Sequence, residues 1–167
     1  LSGVKAKDKP ADPIIVHPDV RKMLLTAKAY AEGGRALAIY CTLLLDKELY
    51  HPDEKVRKDS GEIVALLTPI VKAFLTDNGH IATNACMQVF GGHGYVKEWG
   101  MEQLVRDARI TTTSEGTTQS QALDLLGRQI LQQQGAGMRR PRAMRQSFCA
   151  AKATKPELHG SVLPLAA

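Results

Sequence analysis

Two long stretches in which apolar residues recur every three or four positions constrain the fold most strongly. The first runs from Val20 to Leu45, and the second from Ile63 to Phe90. This spacing places the apolar side chains on one face of an α-helix. The second stretch exceeds the length of a typical globular helix, which suits a long member of a helical bundle. No strand pattern or internal repeat occurs, so the sequence predicts an all-α fold.

Local signals place the helix boundaries. Pro18, followed by Asp19, predicts the start of the first helix, and a turn at residues 50–53 predicts its end. The second helix is expected over about 53–90, either unbroken or bent at Asn78–Gly79. A short helix is predicted over about 100–110, and another from Thr117 or Thr118. Small residues on the first stripe predict close approach of a neighbouring helix: Ala27, Ala31, Gly34 and Ala38.

Composition divides the chain into three predicted segments. Residues 1–17 contain Pro10 and Pro13 and are predicted to form an extended segment that leads into the helices. Residues 18–133 form the helical domain, and residues 134–167 form a basic, irregular tail. The net charge is +5, and the whole excess lies in this tail. A balanced body with a basic tail differs from the basic face of a typical nucleic-acid-binding protein, which disfavours a nucleic-acid partner. Binding of nucleic acid through the basic tail is kept as an alternative.

Composition also indicates an ordinary globular protein and disfavours a membrane-spanning, secreted or metal-binding one. Hydrophobic residues make up 44% and charged residues 23% of the chain, as in ordinary globular proteins. No apolar run reaches the roughly 18 to 20 residues needed to cross a bilayer. No secretory leader is evident, so a cytoplasmic location is expected. Cys41, Cys86 and Cys149 are far apart, which predicts neither a metal site nor a disulfide; Cys41 and Cys86 are expected to be buried, inert thiols.

Unusual residues concentrate between Gln88 and Gln121. The glycines of Gly91–Gly92–His93–Gly94 follow a predicted helix. A dinucleotide-binding loop instead follows a strand and has a different glycine spacing, so that interpretation is rejected. A simple helix end with a turn explains Gly91 and Gly94 without any function.

A single carboxylate, Glu115, lies in the polar segment Ser114–Glu115–Gly116–Thr117 just before a predicted helix. Such a residue can be catalytic, since the following glycine lets a ligand approach closely. It can equally support the helix terminus electrostatically. The segment alone does not separate these alternatives.

Three blocks of sequence together resemble the acyl-CoA dehydrogenase family. Residues 86–95, 104–110 and 114–117 are similar to its patterns Q-x-F-G-G-x-G-[FY], R-D-A-[RK]-I and [YF]-E-G-T, in the same order and at similar separations. Residues 122–128 also match, and so do residues 13–21; the match at residues 13–21 points to the larger, bacterial-type members. The resemblance covers roughly residues 3–131. Within it we interpret three residues as structural charge pairs: Arg106, Asp107 and Arg109.

The resemblance implies α,β-desaturation of an acyl-CoA thioester with FAD as the cofactor and an electron-transfer flavoprotein or similar acceptor as a partner. Glu115 matches the Glu that removes the α proton. A closed site would desolvate this carboxylate and strengthen it as a base toward a weakly acidic C–H. The residues that would contact FAD are Gln88, Gly91, Gly92, Thr117 and Gln119.

The chain departs from the family pattern in two ways. Ser114 replaces an aromatic residue, and the family's N-terminal helical domain, middle β-domain and first bundle helix have no counterpart. We therefore expect a partial up-down bundle lacking its first helix, from a cloned fragment or a truncated gene product. An apolar groove would then promote a homo-oligomer, and the isolated chain would be inactive. A helical oligomerisation or interaction module without catalysis is the alternative.

Overall fold

The computed structural model describes residues 5, 8–131 and 136–152, and its regular structure there is helical throughout. The α-helices are α1 (Pro18–Tyr50), α2 (Glu54–Val89), α3 (Met101–Thr111), α4 (Thr118–Leu123) and α5 (Ala136–Lys152). A π-helical segment, Asp124–Leu131, follows α4 directly. Short 3-10 turns cover Ile14–Val16, Gly91–Tyr95 and Lys97–Trp99. No strand occurs in this described part, and the predicted all-α fold is confirmed.

A three-residue connection, residues 51–53, joins α1 to α2, which makes them an antiparallel hairpin. Asp53 caps α2, since its carboxylate accepts a hydrogen bond from the backbone N–H of Lys55 at 2.8 Å. Arg57 reinforces the connection by donating to the carbonyl oxygen of His51 at 2.7 Å. The predicted turn at residues 50–53 is thus a tightly bonded helix junction.

Helix α2 is unbroken from Glu54 to Val89, as one of the two sequence alternatives had it. It contains Pro69, which lacks a backbone donor and ordinarily disfavours a helix interior. Pro69 is buried, so packing offsets this cost. At Asn78–Gly79, where the sequence allowed a bend, the side chain of Asn78 donates to the carbonyl oxygen of Phe74 at 2.8 Å.

The described residues divide into two compact units, of which the first contains residues 8–39 and 71–118. Tyr30 and Phe74 pack edge to face there, with ring centroids 6.2 Å apart. Gly34 is buried, and a Cβ at its position would lie 2.7 Å from a terminal carbon of Leu75. The prediction that small residues on the first stripe permit close approach is confirmed at Gly34.

The second unit contains residues 40–70, 119–131 and 136–152. Its most buried side chains are Leu44, Ser60, Leu66 and Cys149. Cys41 is half-buried rather than fully buried as predicted, and burial raises the pKa of its thiol. Burial likewise raises the pKa of Tyr40. Cys86, in the first unit, is also half-buried.

Two segment predictions differ from the structure. The leading segment contains a 3-10 turn at Ile14–Val16, where the backbone N–H of His17 donates to the carbonyl oxygen of Ile14 at 3.0 Å. The tail contains α5 where an irregular chain was predicted. Residues 136–152 contain four Ala, four Arg and two Met, whose intrinsic helix propensity is high even without an apolar stripe. Residues 132–135 and 153–167 lie outside the described part of the chain.

Helices in the described ranges are all too short or too polar to traverse a lipid bilayer.

Candidate functional site

The loop that carries Glu115 joins the end of α3 at Thr111 to the start of α4 at Thr118. Two consecutive residues have positive φ, Glu115 at 54° and Gly116 at 92°. Within the described residues, Glu115 is the one non-glycine residue with a positive φ. A Cβ in this left-handed conformation costs about 1–2 kcal/mol. The loop therefore presents an exposed carboxylate from a strained position, and such strain clusters at functional sites.

The near end of this loop is bonded to the last turn of α3. The carbonyl oxygen of Ile110 accepts hydrogen bonds from the backbone N–H groups of Thr113 at 3.0 Å and Ser114 at 3.1 Å. The hydroxyl groups of Thr113 and Ser114 donate to the same oxygen at 2.9 and 3.1 Å. The run of Thr and Ser thus supplies local donors that end α3 and start the turn.

Two side chains of α2 bond to the loop from a distant part of the sequence. Lys72 Nζ donates to the carbonyl oxygens of Thr111 at 3.0 Å and Gly116 at 2.5 Å. The hydroxyl of Thr118 donates to both carboxylate oxygens of Asp77, at 3.0 and 2.9 Å. These contacts were missed from the sequence. A signal was present for Lys72, which is the one charged residue between Ile63 and Leu75.

The structure explains why a glycine is needed at some positions after α2 and leaves one of them unexplained. Gly91 adopts a left-handed conformation (φ 60°) directly after the helix, as in a helix end. Gly94 is buried, and a Cβ there would lie 2.5 Å from the carbonyl oxygen of Met87. Gly92 is exposed and a Cβ there would have nothing within 4 Å. The helix-end interpretation is confirmed for Gly91, whereas Gly92 has no packing explanation within the described chain.

Some of the predicted site residues are brought together. Gln88 and Gly91 line one surface pocket of about 590 Å³, together with His17 and Asp19 from the start of α1. Glu115 and Thr117 share the loop before α4. Gln119 follows in α4 and belongs to the second unit.

A second surface pocket, of about 750 Å³, was not predicted as a site. Its lining includes four basic side chains and one acidic side chain: His80, Lys97, Arg106, Arg109 and Glu102. In the described part of the chain, no cluster of His, Cys, Asp and Glu has the composition of a metal site.

The interpretation of Arg106, Asp107 and Arg109 as charge pairs is wrong in this structure. Asp107 accepts a hydrogen bond from Gln103 at 2.7 Å, and Arg109 donates to the hydroxyl of Thr112. Residues one or two positions apart on a helix do not face each other, so neither arginine meets Asp107. Both arginines instead line the 750 Å³ pocket.

Comparison with known proteins places these features in a family. Residues 4–131 match the family model described as acyl-CoA dehydrogenase, C-terminal domain. The chain is 45% identical over 130 residues to 3-methylmercaptopropionyl-CoA dehydrogenase of Ruegeria pomeroyi, covering 78% of this chain and 22% of that protein. The chain belongs to the acyl-CoA dehydrogenase family. The family predicted from the three sequence blocks is thus confirmed.

Two further relatives agree with this assignment. The broad-specificity linear acyl-CoA dehydrogenase FadE5 of Mycobacterium tuberculosis is 34% identical over 151 residues, which are 89% of this chain and 24% of that protein. A butyryl-CoA dehydrogenase of Syntrophomonas wolfei is 34% identical over 145 residues, covering 86% of this chain and 23% of that protein. The chain therefore spans between 22% and 24% of the length of these three family members.

Proposed function

We propose that this chain is the C-terminal helical part of an FAD-dependent acyl-CoA dehydrogenase in which Glu115 removes the α proton of an acyl-CoA thioester. The main observation in support of this proposal is the conformation of the Glu115 loop, which keeps an exposed carboxylate at a strained backbone position. All three relatives are named for acyl-CoA thioesters, which supports a substrate of that class.

The chemistry assigned to Glu115 is a single proton transfer. The α C–H of a thioester is weakly acidic because the adjacent carbonyl stabilises the negative charge that develops on deprotonation. A carboxylate within hydrogen-bonding reach of that carbon takes the proton as a general base. FAD, when bound, would accept the β hydrogen with its electron pair as a hydride, so that the α and β carbons become doubly bonded.

The residues proposed to hold FAD are Gln88, Gly91, Gly92, Thr117 and Gln119. Gln88 is exposed, lines a pocket and carries an amide that both donates and accepts hydrogen bonds. Gly92 leaves open space where any other residue would place a Cβ. Both features fit close approach of a polar cofactor to the end of α2. We further propose an electron-transfer flavoprotein or similar acceptor as the partner that reoxidises the complete protein.

The test is Glu115→Gln in the complete protein that carries this chain, assayed with octanoyl-CoA and an electron-accepting dye. The amide keeps the shape of the side chain but cannot take a proton, so kcat should fall by roughly 10²–10⁴-fold. Flavin absorbance at an unchanged level would show that the loss is chemical. Glu98→Gln, another exposed carboxylate outside the loop, should leave kcat unchanged. Retained turnover in Glu115→Gln would refute the assignment.

The alternative of a non-catalytic helical oligomerisation module is favoured by one observation. Many large apolar side chains are exposed among the described residues, and apolar side chains that form a contiguous exposed surface mark interaction sites. They include Leu25 at 65%, Ile39 at 62%, Leu123 at 74% and Leu131 at 73%. We propose that these surfaces are covered in a homo-oligomer or by the rest of a longer protein.

Sedimentation of the 167-residue chain at micromolar concentration should accordingly show a species larger than the monomer. A strictly monomeric chain would contradict self-association. The expected absence of acyl-CoA oxidation by this chain alone distinguishes the module from the complete enzyme, and turnover by the isolated chain with added FAD would overturn that expectation.

A further inference from the structure

One ammonium group bonds to the backbone on both sides of Glu115. Lys72 Nζ donates to the carbonyl oxygen of Thr111, the last residue of α3, and to that of Gly116, directly after Glu115. The two carbonyl oxygens therefore lie no farther apart than the sum of these two hydrogen-bond lengths. Since an ammonium group has three donors and no acceptor, it suits two carbonyl partners. Lys72 thus closes the base of the loop.

A second contact fixes the far side of the loop to the same helix. Asp77, five residues after Lys72 in α2, accepts the hydroxyl proton of Thr118 at both carboxylate oxygens. Thr118 is the first residue of α4. The segment from Thr111 to Thr118 is therefore bonded to α2 near its beginning and at its end, and Glu115 lies between these bonds.

These bonds matter because the conformation of Glu115 is unfavourable by itself. A non-glycine residue in the left-handed region persists when its surroundings determine the backbone more strongly than local preference does. Hydrogen bonds to charged groups contribute more to stability than bonds between neutral groups do. Lys72 is half-buried, so its two bonds can offset the backbone cost at Glu115.

We propose that Lys72 is a positioning residue that holds the Glu115 carboxylate in place for proton removal, with the Asp77–Thr118 bond as a second support. This inference rests on the proposed function of Glu115. Lys72 is assigned no contact with substrate or cofactor. Its effect is transmitted through the backbone carbonyl oxygens of Thr111 and Gly116.

The first test measures the loop itself in the 167-residue chain. Hydrogen exchange of a peptide covering residues 112–117 should become roughly tenfold faster in Lys72→Met, because the ammonium bonds that close the loop are lost. Lys72→Arg, which keeps a cationic donor, should restore part of the protection. Lys58→Met removes an exposed lysine from the same helix and should change nothing in this peptide. Unchanged exchange in Lys72→Met would overturn the proposal.

Thr118→Val provides a second variant if Lys72→Met does not fold. It removes the hydroxyl donor to Asp77 at nearly constant shape and should also accelerate exchange in residues 112–117, by less than Lys72→Met. Exchange of peptides from α1 should stay unchanged in each variant, which separates loop opening from global unfolding. Equal acceleration throughout the chain, or none in the loop, would contradict the positioning role.

The second test separates positioning from the proposed catalysis. In the complete protein, Lys72→Met should lower kcat roughly 10- to 100-fold, with KM for octanoyl-CoA little changed, because a displaced base affects the chemical step. Lys72→Arg should recover part of kcat. A rise in KM alone would contradict a positioning role. If Glu115→Gln retains activity while Lys72→Met still loosens the loop, the proposed function fails and the loop contact stands.

Discussion

Gly91 and Glu115 have nearly the same backbone φ, 60° and 54°, and yet only one of them is a glycine. Gly91 ends α2, where a residue without Cβ adopts the left-handed region at little cost. Glu115 bears a full side chain at the equivalent torsion angle and relies on bonds from Lys72 to the neighbouring backbone. Local chemistry is therefore sufficient for the helix end, whereas the loop depends on distant contacts.

Retention of a carboxylate at a strained position is the pattern expected where function opposes stability. A glycine at residue 115 would remove the strain and also the carboxylate. Substitutions at Gly91 and Glu115 are therefore expected to have opposite effects on the free energy of unfolding. Gly92 and Gly94 should also respond differently, because a Cβ meets other atoms only at Gly94.

The largest effect is expected from Gly94→Ala. Its Cβ would lie 2.5 Å from the carbonyl oxygen of Met87, a backbone atom that cannot move aside easily. The free energy of unfolding should fall by about 3 kcal/mol in urea denaturation, as for an overpacked core. Gly92→Ala is the control, because nothing lies within 4 Å of its Cβ. Equal losses in the two variants would show that the glycines differ less than the structure indicates.

A smaller, paired effect is expected at Gly91 and Glu115. Gly91→Ala should lower the free energy of unfolding by about 1 kcal/mol, and Glu115→Gly should raise it by a similar or smaller amount. Glu115→Ala keeps the Cβ and serves as the control for loss of the carboxylate. Thermal unfolding of the three variants measures both signs. If Glu115→Gly destabilises the chain as much as Gly91→Ala does, residue 115 is not strained.

Much of the fold follows from residue pattern alone. Apolar spacing predicted the two long helices, and Pro18 and the turn at residues 50–53 placed their ends close to the observed Pro18–Tyr50 and Glu54–Val89. Helix α5 was not predicted because residues 136–152 lack a sustained apolar stripe and have only intrinsic helix propensity as a local signal. Helix α2 continues through Pro69, which is buried in the second unit. The packing around Pro69 involves residues outside any short sequence pattern, so the sequence did not show what offsets the cost of this proline.

Less of the candidate site than of the fold could be predicted from the sequence. The residues Glu115, Gln88 and Gly92 were identified by resemblance to the acyl-CoA dehydrogenase family, and their roles remain predictions. Lys72 and Asp77 carried no motif, since their partners Gly116 and Thr118 lie 44 and 41 residues away in the sequence. Contacts at such separation depend on how α2 packs against the loop, and no short pattern encodes them.

The all-α class, the two long helices, the family and the candidate base could all be predicted from the order of residues, because periodicity and short motifs are local properties of the chain. The folded structure was needed to find that Glu115 is strained, that Lys72 and Asp77 bond to its loop, and that Gly92 has neither the positive φ of Gly91 nor the steric contact of Gly94. Backbone torsion and steric contact arise from residues that meet after folding, so they cannot be obtained from the order of residues alone.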